Sequence, residues 1–389
     1  MTPTARFQTA IEILDAYREG SAAEQLLTRW ARASRYAGSK DRAAVRDIVF
    51  DILRRFESCA VQGGTRTGRG LVLGYCRQQG IDPASVFTGD RYGPKTLSET
   101  EESAGEETAK GSAAALDCQE WLLPRLSASL GANRDAILER LRDRAPVFLR
   151  VNLARLSRED AINELVAQGI ATRTHPLSPS ALEVVEGARQ IRNAALYSNG
   201  FIELQDAASQ AVADFVPLSE GQAMLDYCAG GGGKTLAVAG RVKAKFYLHD
   251  AVPARLKDAL TRAERADVDV TLLEEHGLSS GAPFPVVLVD APCSGSGAWR
   301  RSPEGKWRFT EQRLNELCAT QSKILTDAAS LVASEGALVY ATCSLLAEEN
   351  QEAVTAFLAD HAGWQLERQQ HFTPLDGADG FFAALLRKS

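Results

Sequence analysis

The sequence predicts a mixed α/β chain in three parts: a helical domain over residues 1–140, a small α+β module over 141–210, and a parallel, doubly wound α/β domain over 211–389. Three observations predict it. Apolar residues recur at helical spacing over residues 5–60. At Pro146 the texture changes to short strand-like runs. From Ala223 onward short apolar runs alternate with helical patterns, as a parallel sheet with helices on both faces requires.

In the first part, Phe7, Ala10, Ile11, Leu14 and Tyr17 lie on one helical face, and Val45, Ile48, Val49, Ile52, Leu53 and Phe56 on another. The second stripe begins inside a basic stretch, Lys40–Arg46. Residues 82–112 are rich in Gly, Ser, Thr and Glu and poor in apolar side chains, and read as a loop or partly disordered insertion. Helical pattern resumes over Leu116–Leu141. In the second part, residues 147–152 read as a strand. Ser157, with Asp160 three residues on, reads as the N-cap of a helix over Ala161–Gln168. In the third part, Ala223–Tyr227, Lys245–His249, Val268–Leu273, Val286–Val289 and Ala337–Ala341 are the expected strands.

Composition excludes several classes. Hydrophobic residues make up 45% and charged residues 24%, which rules out a disordered or fibrous chain. No apolar run is long enough to span a bilayer, and Met1–Ala10 lacks an apolar signal core, so a cytoplasmic protein is expected. The seven cysteines (59, 76, 118, 228, 293, 318 and 343) include no CxxC pair, so neither a disulfide framework nor a metal site is expected. The net charge of −6 does not point to nucleic acid, but its distribution is uneven. Residues 1–80 hold 13 Lys and Arg against 8 Asp and Glu, whereas residues 81–110 hold 3 against 7. A basic N-terminal module is compatible with RNA contact, and equally with a solvated helix face.

Two features carry chemistry. The first is Asp226-Tyr227-Cys228-Ala229-Gly230-Gly231-Gly232-Gly233-Lys234-Thr235, a glycine-rich turn between strand and helix that lets backbone approach a ligand closely. A phosphate-binding GxxxxGK[ST] loop would need glycine at 228, where Cys stands, so ATP is disfavoured. Asp250, at the end of the next strand, is placed to hold the two hydroxyls of a ribose. The pattern alone leaves S-adenosylmethionine and a dinucleotide as alternatives, and such a carboxylate is also often a helix cap.

The second feature is a pair of cysteines after two strands, Cys293 in Asp290-Ala291-Pro292-Cys293-Ser294-Gly295-Ser296-Gly297 and Cys343 in Thr342-Cys343-Ser344. In a doubly wound sheet both lie at the carboxyl edge beside the glycine turn. Strand-end cysteines are more often structural than catalytic, but two thiols beside a cofactor site suggest covalent chemistry. Carbon 5 of cytosine is too weak a nucleophile to attack a methyl sulfonium. A thiolate adding to C6 turns C5 into an enamine-like carbon that can do so. Asp290 is the candidate to hydrogen-bond the base and support that addition.

The chain resembles the RsmB/Sun (Fmu)-type RNA cytosine-5 methyltransferases over about Arg144–Arg387, with a fainter N-terminal extension. The likeness is carried by DYCAGGGGKT (Asp226–Thr235), DAPCSGSG (Asp290–Gly297), the RRxPExKW pattern (Arg300–Trp307) and YATCS (Tyr340–Ser344). Glu348-Glu349-Asn350, RVN (Arg150–Asn152), a QDxxSQ motif (Gln205–Gln210) and DGFFAALLR (Asp379–Arg387) complete it. The resemblance implies a Rossmann-like domain that binds S-adenosylmethionine, preceded by a NusB-like helical RNA-binding domain and a small RNA-binding subdomain. It implies that Cys343 is the nucleophile and Cys293 assists release. It places Cys228, Ala229, Gly230, Gly231, Gly232, Gly233, Lys234, Asp250 and Asp290 at the cofactor. Arg300, Arg301, Lys306 and Trp307 are expected to meet RNA, the cations at phosphates and Trp307 by stacking or else by simple packing. The expected substrate is rRNA and the expected state a monomer. tRNA methylation and a non-catalytic ribosome-assembly factor are the rival readings, the intact cysteines weighing against the latter. Three departures stand out: Gly230-Gly231 replaces the family's Ala-Pro, Glu274 or Glu275 is the candidate for a further acidic cofactor contact, and the N-terminal module is short and carries the acidic insertion.

Overall fold

The structure, a computed structural model, describes residues 1–389. Contacts divide it into two compact units. One comprises Met1–Arg144 together with Trp299–Phe309; the other comprises Ala145–Ala298 and Thr310–Ser389.

The first unit is helical. Thr2 caps its opening helix, Pro3–Arg18, by accepting from the Ala5 amide at 3.2 Å. Ala10, Leu14, Val45, Val49, Ile52 and Leu53 form one core, as their spacing predicts. The acidic insertion is not disordered. It contains short helices at Pro83–Val86 and Glu99–Ser103, and two arginines hold its backbone. Arg69 donates to the Lys95 and Thr96 carbonyls, and Arg77 to those of Ala104, Glu101 and Glu102. Arg69 also pairs with Glu101 at 2.5 Å, so acidity that reads as disorder serves as an anchor.

The second unit contains two sheets. Strands β1 (Val147–Val151), β2 (Thr172–Thr174), β3 (Ala181–Val184) and β4 (Ile202–Leu204) form an antiparallel sheet in the order β2-β3-β1-β4. The helix Arg158–Ala167 joins β1 to β2, and Ser157 caps it by accepting from the Asp160 amide at 3.1 Å. This is a ferredoxin-like split βαβ arrangement.

The larger sheet contains β5 (Ala223–Asp226), β6 (Lys245–Leu248), β7 (Val270–Leu272), β8 (Phe284–Asp290), β9 (Val332–Thr342), β10 (Trp364–Phe372) and β11 (Phe381–Lys388). Their order is β10-β11-β9-β8-β5-β6-β7. β5 to β9 are parallel and β11 runs against both its neighbours. The order reverses between β5 and β8, so a crevice opens at the carboxyl ends of those two strands. The helix Ala207–Asp214 sits in a core shared by both sheets, with Phe148 and Ala181 from the small one and Met224, Val286 and Val339 from the large one. No helix is long and apolar enough to cross a membrane.

Candidate active site

The glycine turn leaves β5 at the topological switch. Gly230 and Gly232 adopt φ +51° and +70°, in the left-handed region that favours glycine. A Cβ on Gly232 would stand 3.1 Å from that of Ala259, so helix packing also keeps this position bare. Side chains from the small sheet hold the turn. Arg150 on β1, almost wholly buried, donates to the Gly233 carbonyl at 2.7 Å and to Gln205 at 2.5 Å. Arg262 donates to the Gly231 carbonyl at 2.7 Å and to Glu203 on β4 at 3.1 Å. The RVN and QDxxSQ motifs therefore brace the turn, a role that sequence reading did not assign them.

A cavity of about 620 Å³ opens beside the turn. Cys228, Ala229, Gly230, Gly231, Gly233, Lys234, Asp250 and Asp290 all line it. Gly232 does not; it supplies the turn's conformation instead. The Asp250 carboxylate accepts from the amides of Gly230 at 3.0 Å and Val252 at 2.8 Å, one on each oxygen, which leaves lone pairs free for hydroxyl donors. Val252, Leu317 and Ile324 add apolar wall, and Arg255 and Arg313 add positive charge. Volume, carboxylate, apolar wall and cations together fit a nucleoside joined to an amino acid. Glu274 and Glu275 are exposed and do not line the cavity, so neither replaces the further acidic contact. Asp226, missed as a site residue, does line it. Burial pushes its carboxyl up to about 7, the Thr235 hydroxyl, which donates to it at 2.6 Å, pulls it down, and Asp290 raises it further.

Lys234 reaches from the turn to Asp290 at the end of β8, 2.6 Å away. Burial lowers its affinity for a proton, but Asp290, and less strongly Cys343 and Asp226, more than offset this; its pKa is raised and the ammonium persists. The Cys293 and Cys343 sulfurs lie 3.4 Å apart. The hydrogen bond to Cys343, then burial, then the charge interactions with Cys343 and Glu349 hold the Cys293 thiol well above its ordinary range.

A single buried carboxylate ties the two cysteine loops together. Glu349 accepts from the Ser294 amide at 2.8 Å, the Ser294 and Ser344 hydroxyls at 2.5 Å each, and Gln321 Nε2 at 3.0 Å. Asn350 donates to the Ser344 carbonyl at 2.9 Å. The Glu-Glu-Asn triplet was visible in the sequence, but only the fold places it between two loops separated by fifty residues.

A family model for 16S rRNA methyltransferase RsmB/F matches residues 214–387, and one for an RsmF/B-like, ferredoxin-like domain matches residues 119–191. A protein of Serratia proteamaculans named ribosomal RNA small subunit methyltransferase B is 32% identical over 291 residues, covering 69% of this chain and 66% of that one. The chain belongs to the RsmB/F methyltransferase family. A relative of the same name from Yersinia pseudotuberculosis is 30% identical over 282 residues, with the same coverage. The chain thus spans just under two thirds of these relatives' length. Among solved structures, PH0851 is similar over 100% of this chain and 99% of its own, with TM-score 0.76 and 22% identity. NSun6 from Pyrococcus horikoshii, solved with SFG, covers 68% of this chain and 97% of its own, with TM-score 0.60 and 19% identity. These two likenesses show the fold.

In this member of the RsmB/F family, the residues expected at RNA lie in the helical unit, and most are not available to a phosphate. Arg300 and Lys306 are buried. Lys306 Nζ donates to the Arg54 carbonyl at 3.3 Å, and Asp117, Cys118 and Arg142 lie within its electrostatic reach. Arg54 Nε donates to the Arg300 carbonyl at 2.7 Å. Trp307 donates to the Leu53 carbonyl at 2.7 Å and packs on Phe56, so it takes the packing alternative. Of the four, only Arg301 is exposed. The correction has one cause: this segment completes a helical core, where Lys306 donates to a backbone carbonyl and feels the charge of buried Asp117.

Proposed function

We propose that this chain is an S-adenosylmethionine-dependent RNA (cytosine-5) methyltransferase acting on rRNA in the cytoplasm. The observation that carries the reading is the pair of sulfurs 3.4 Å apart beside the Lys234–Asp290 pair at the sheet's switch point. S-adenosylmethionine, held by the glycine turn and Asp250, supplies an electrophilic methyl group. Cys343, beside the Lys234 ammonium, adds as thiolate to C6 of the base, and Cys293 donates its thiol proton toward the Cys343 sulfur. Asp290 hydrogen-bonds the base and supports that addition. Once C5 carries the methyl group, its proton passes to solvent water, the C5–H electron pair becomes the C5=C6 bond, and the C6–S bond breaks to free Cys343 as thiolate. Cys293, as the neighbouring proton donor, receives the charge of the departing sulfur. The target base must leave its stack to reach the thiol. The helical unit serves as the NusB-like RNA-binding part. One chain supplies every group named, which supports action as a monomer.

The test is a denaturing gel of protein with RNA carrying 5-fluorocytosine, plus mapping of 5-methylcytosine in rRNA treated with the enzyme. The wild type forms a covalent species, Cys343→Ala forms none, and Cys293→Ala accumulates adduct on ordinary RNA. Adduct with Cys343→Ala and none with Cys293→Ala would exchange the two roles. Absence of 5-methylcytosine with every RNA would refute the activity.

A further inference from the structure

Tyr36 and Tyr92 are the most exposed of the chain's large apolar side chains, at 73% and 63%. They lie 56 residues apart in sequence, yet both line one cavity of about 910 Å³ within the helical unit. Gln8 and Glu12 of the opening helix line it too, as do Arg91 and Lys95. The Arg91 guanidinium stands 5.2 Å from the centre of the Tyr92 ring. Arg35 and Lys40, near Tyr36 in the chain, are also exposed.

These tyrosines sit on stiff supports. The turn bearing Tyr92 is closed by hydrogen bonds from Gly89 N to Pro94 O at 2.9 Å and from Gly93 N to Asp90 O at 3.0 Å. Gly93 packs so closely that a Cβ there would lie 3.0 Å from that of Thr4. Arg69 pins the following residues through the Lys95 and Thr96 carbonyls, each at 3.0 Å. Tyr36 lies in a turn between buried Ser34 and Ala37, closed by Ala37 N to Ser34 O at 3.0 Å. Aromatic rings held in water on pre-ordered turns lose little freedom when something flat covers them.

We infer that this cavity binds unpaired RNA, with bases stacking on Tyr36 and Tyr92 and phosphates meeting Arg91 and Lys95. Stacking platforms flanked by cations suit a single strand, whose bases are free to leave one another. A duplex keeps its bases inside, and an acidic or apolar peptide would not need two stacking faces. The inference rests on the reading of the chain as an RNA-directed enzyme and adds a site remote in sequence from the cysteines. It also gives the acidic insertion a purpose, since Arg69 and Glu101 anchor the turn that presents Tyr92.

The experiment uses the full chain and fluorescence anisotropy with a labelled oligouridine, alongside a duplex of equal length. Tyr36→Ala and Tyr92→Ala each weaken single-strand binding roughly 10-fold, the double variant weakens it further, and duplex binding is unchanged. Tyr36→Phe and Tyr92→Phe restore the affinity, because the ring and not the hydroxyl stacks. Arg91→Gln with Lys95→Gln flattens the salt dependence of log K by about 1.4. Calorimetry with S-adenosylmethionine gives the same affinity for every variant. Unchanged single-strand affinity in the double alanine variant overturns the site while leaving the enzymatic reading intact. So does loss in the phenylalanine variants as well. If the wild type binds no RNA while still binding S-adenosylmethionine, both readings fall.

Discussion

Two adjacent stretches carry equally recognisable motifs and do opposite things. Asp290–Gly297 ends a strand and sets Asp290 on the cavity wall and a thiol 3.4 Å from Cys343. Arg300–Trp307, beginning three residues later, turns its polar groups inward. Arg300 and Lys306 are buried, and Trp307 is tied to Leu53. A motif records that residue types are needed together, without saying whether ligand or protein needs them. What separates the two is where their polar atoms find partners: on one side a cavity and a second loop, on the other the carbonyls of a helical core.

The largest effect that sharpens the contrast is at Cys343. Cys343→Ala should lower the methylation rate by about 10⁴-fold or more, measured by methyl transfer to rRNA, with unfolding midpoint unchanged. Asp250→Ala should weaken S-adenosylmethionine binding about 10- to 100-fold by calorimetry, because a carboxylate acceptor for two hydroxyls is lost. An unchanged affinity would remove Asp250 from the cofactor site. Glu349→Gln keeps the shape of the brace but removes its charge. It should slow methylation by roughly 10-fold and slow diamide cross-linking of Cys293 to Cys343 on intact-protein mass spectra. Cross-linking as fast as in the wild type would show that the carboxylate does not set the sulfur spacing.

The smallest effect on activity is at Lys306, where the contrast itself can be broken. Lys306→Met should change urea stability by about 1–3 kcal/mol and leave the salt dependence of RNA binding untouched. Stability unchanged with a flatter salt dependence would return Lys306 to the RNA. A pH series adds a second check. Burial pulls the Lys306 pKa from 10.5 down to about 8, against the pull of Asp117. The unfolded chain therefore binds the proton more tightly. The burden of the buried charge is fully present below about pH 8 and is relieved as pH rises toward 10.5. The wild type should gain stability relative to Lys306→Met across that window.

Much of the fold was legible because it rests on local pattern. The strands flanking the glycine turn are short apolar runs, and turn residues punctuate them. β10 was not legible. Trp364–Phe372 is almost wholly exposed, an edge strand whose polar side chains face water and whose pairing with β11 leaves no apolar alternation to read. The anchoring of the loop over 82–112 and the inward role of the Arg300–Trp307 segment were not legible for a shared reason. Their polar groups are satisfied by residues distant in sequence, Arg69 and Arg77 in one case and Arg54 and Asp117 in the other. At the site, the cavity-lining residues followed from the turn and strand ends. The Glu349 brace and the Arg150 clamp did not, because each joins elements that only the assembled sheets bring together.

The helical unit is not a continuous stretch of chain. The Trp299 ring packs at a tilt against Phe309, and Phe309 against Trp121, so its core contains side chains from positions far downstream. On a ribosome, where residues emerge in order, residues 1–144 must wait for residue 309 before their packing closes. By then β1 to β8 have already been made. Domains usually finish in the order of their synthesis; here a unit that begins before β1 cannot finish until after β8. The same threading governs how the molecule can be cut. Deleting residues 1–144 would strand Trp299, Lys306 and Phe309 without the core that covers them, so a well-behaved catalytic fragment has to join Ala298 directly to Thr310.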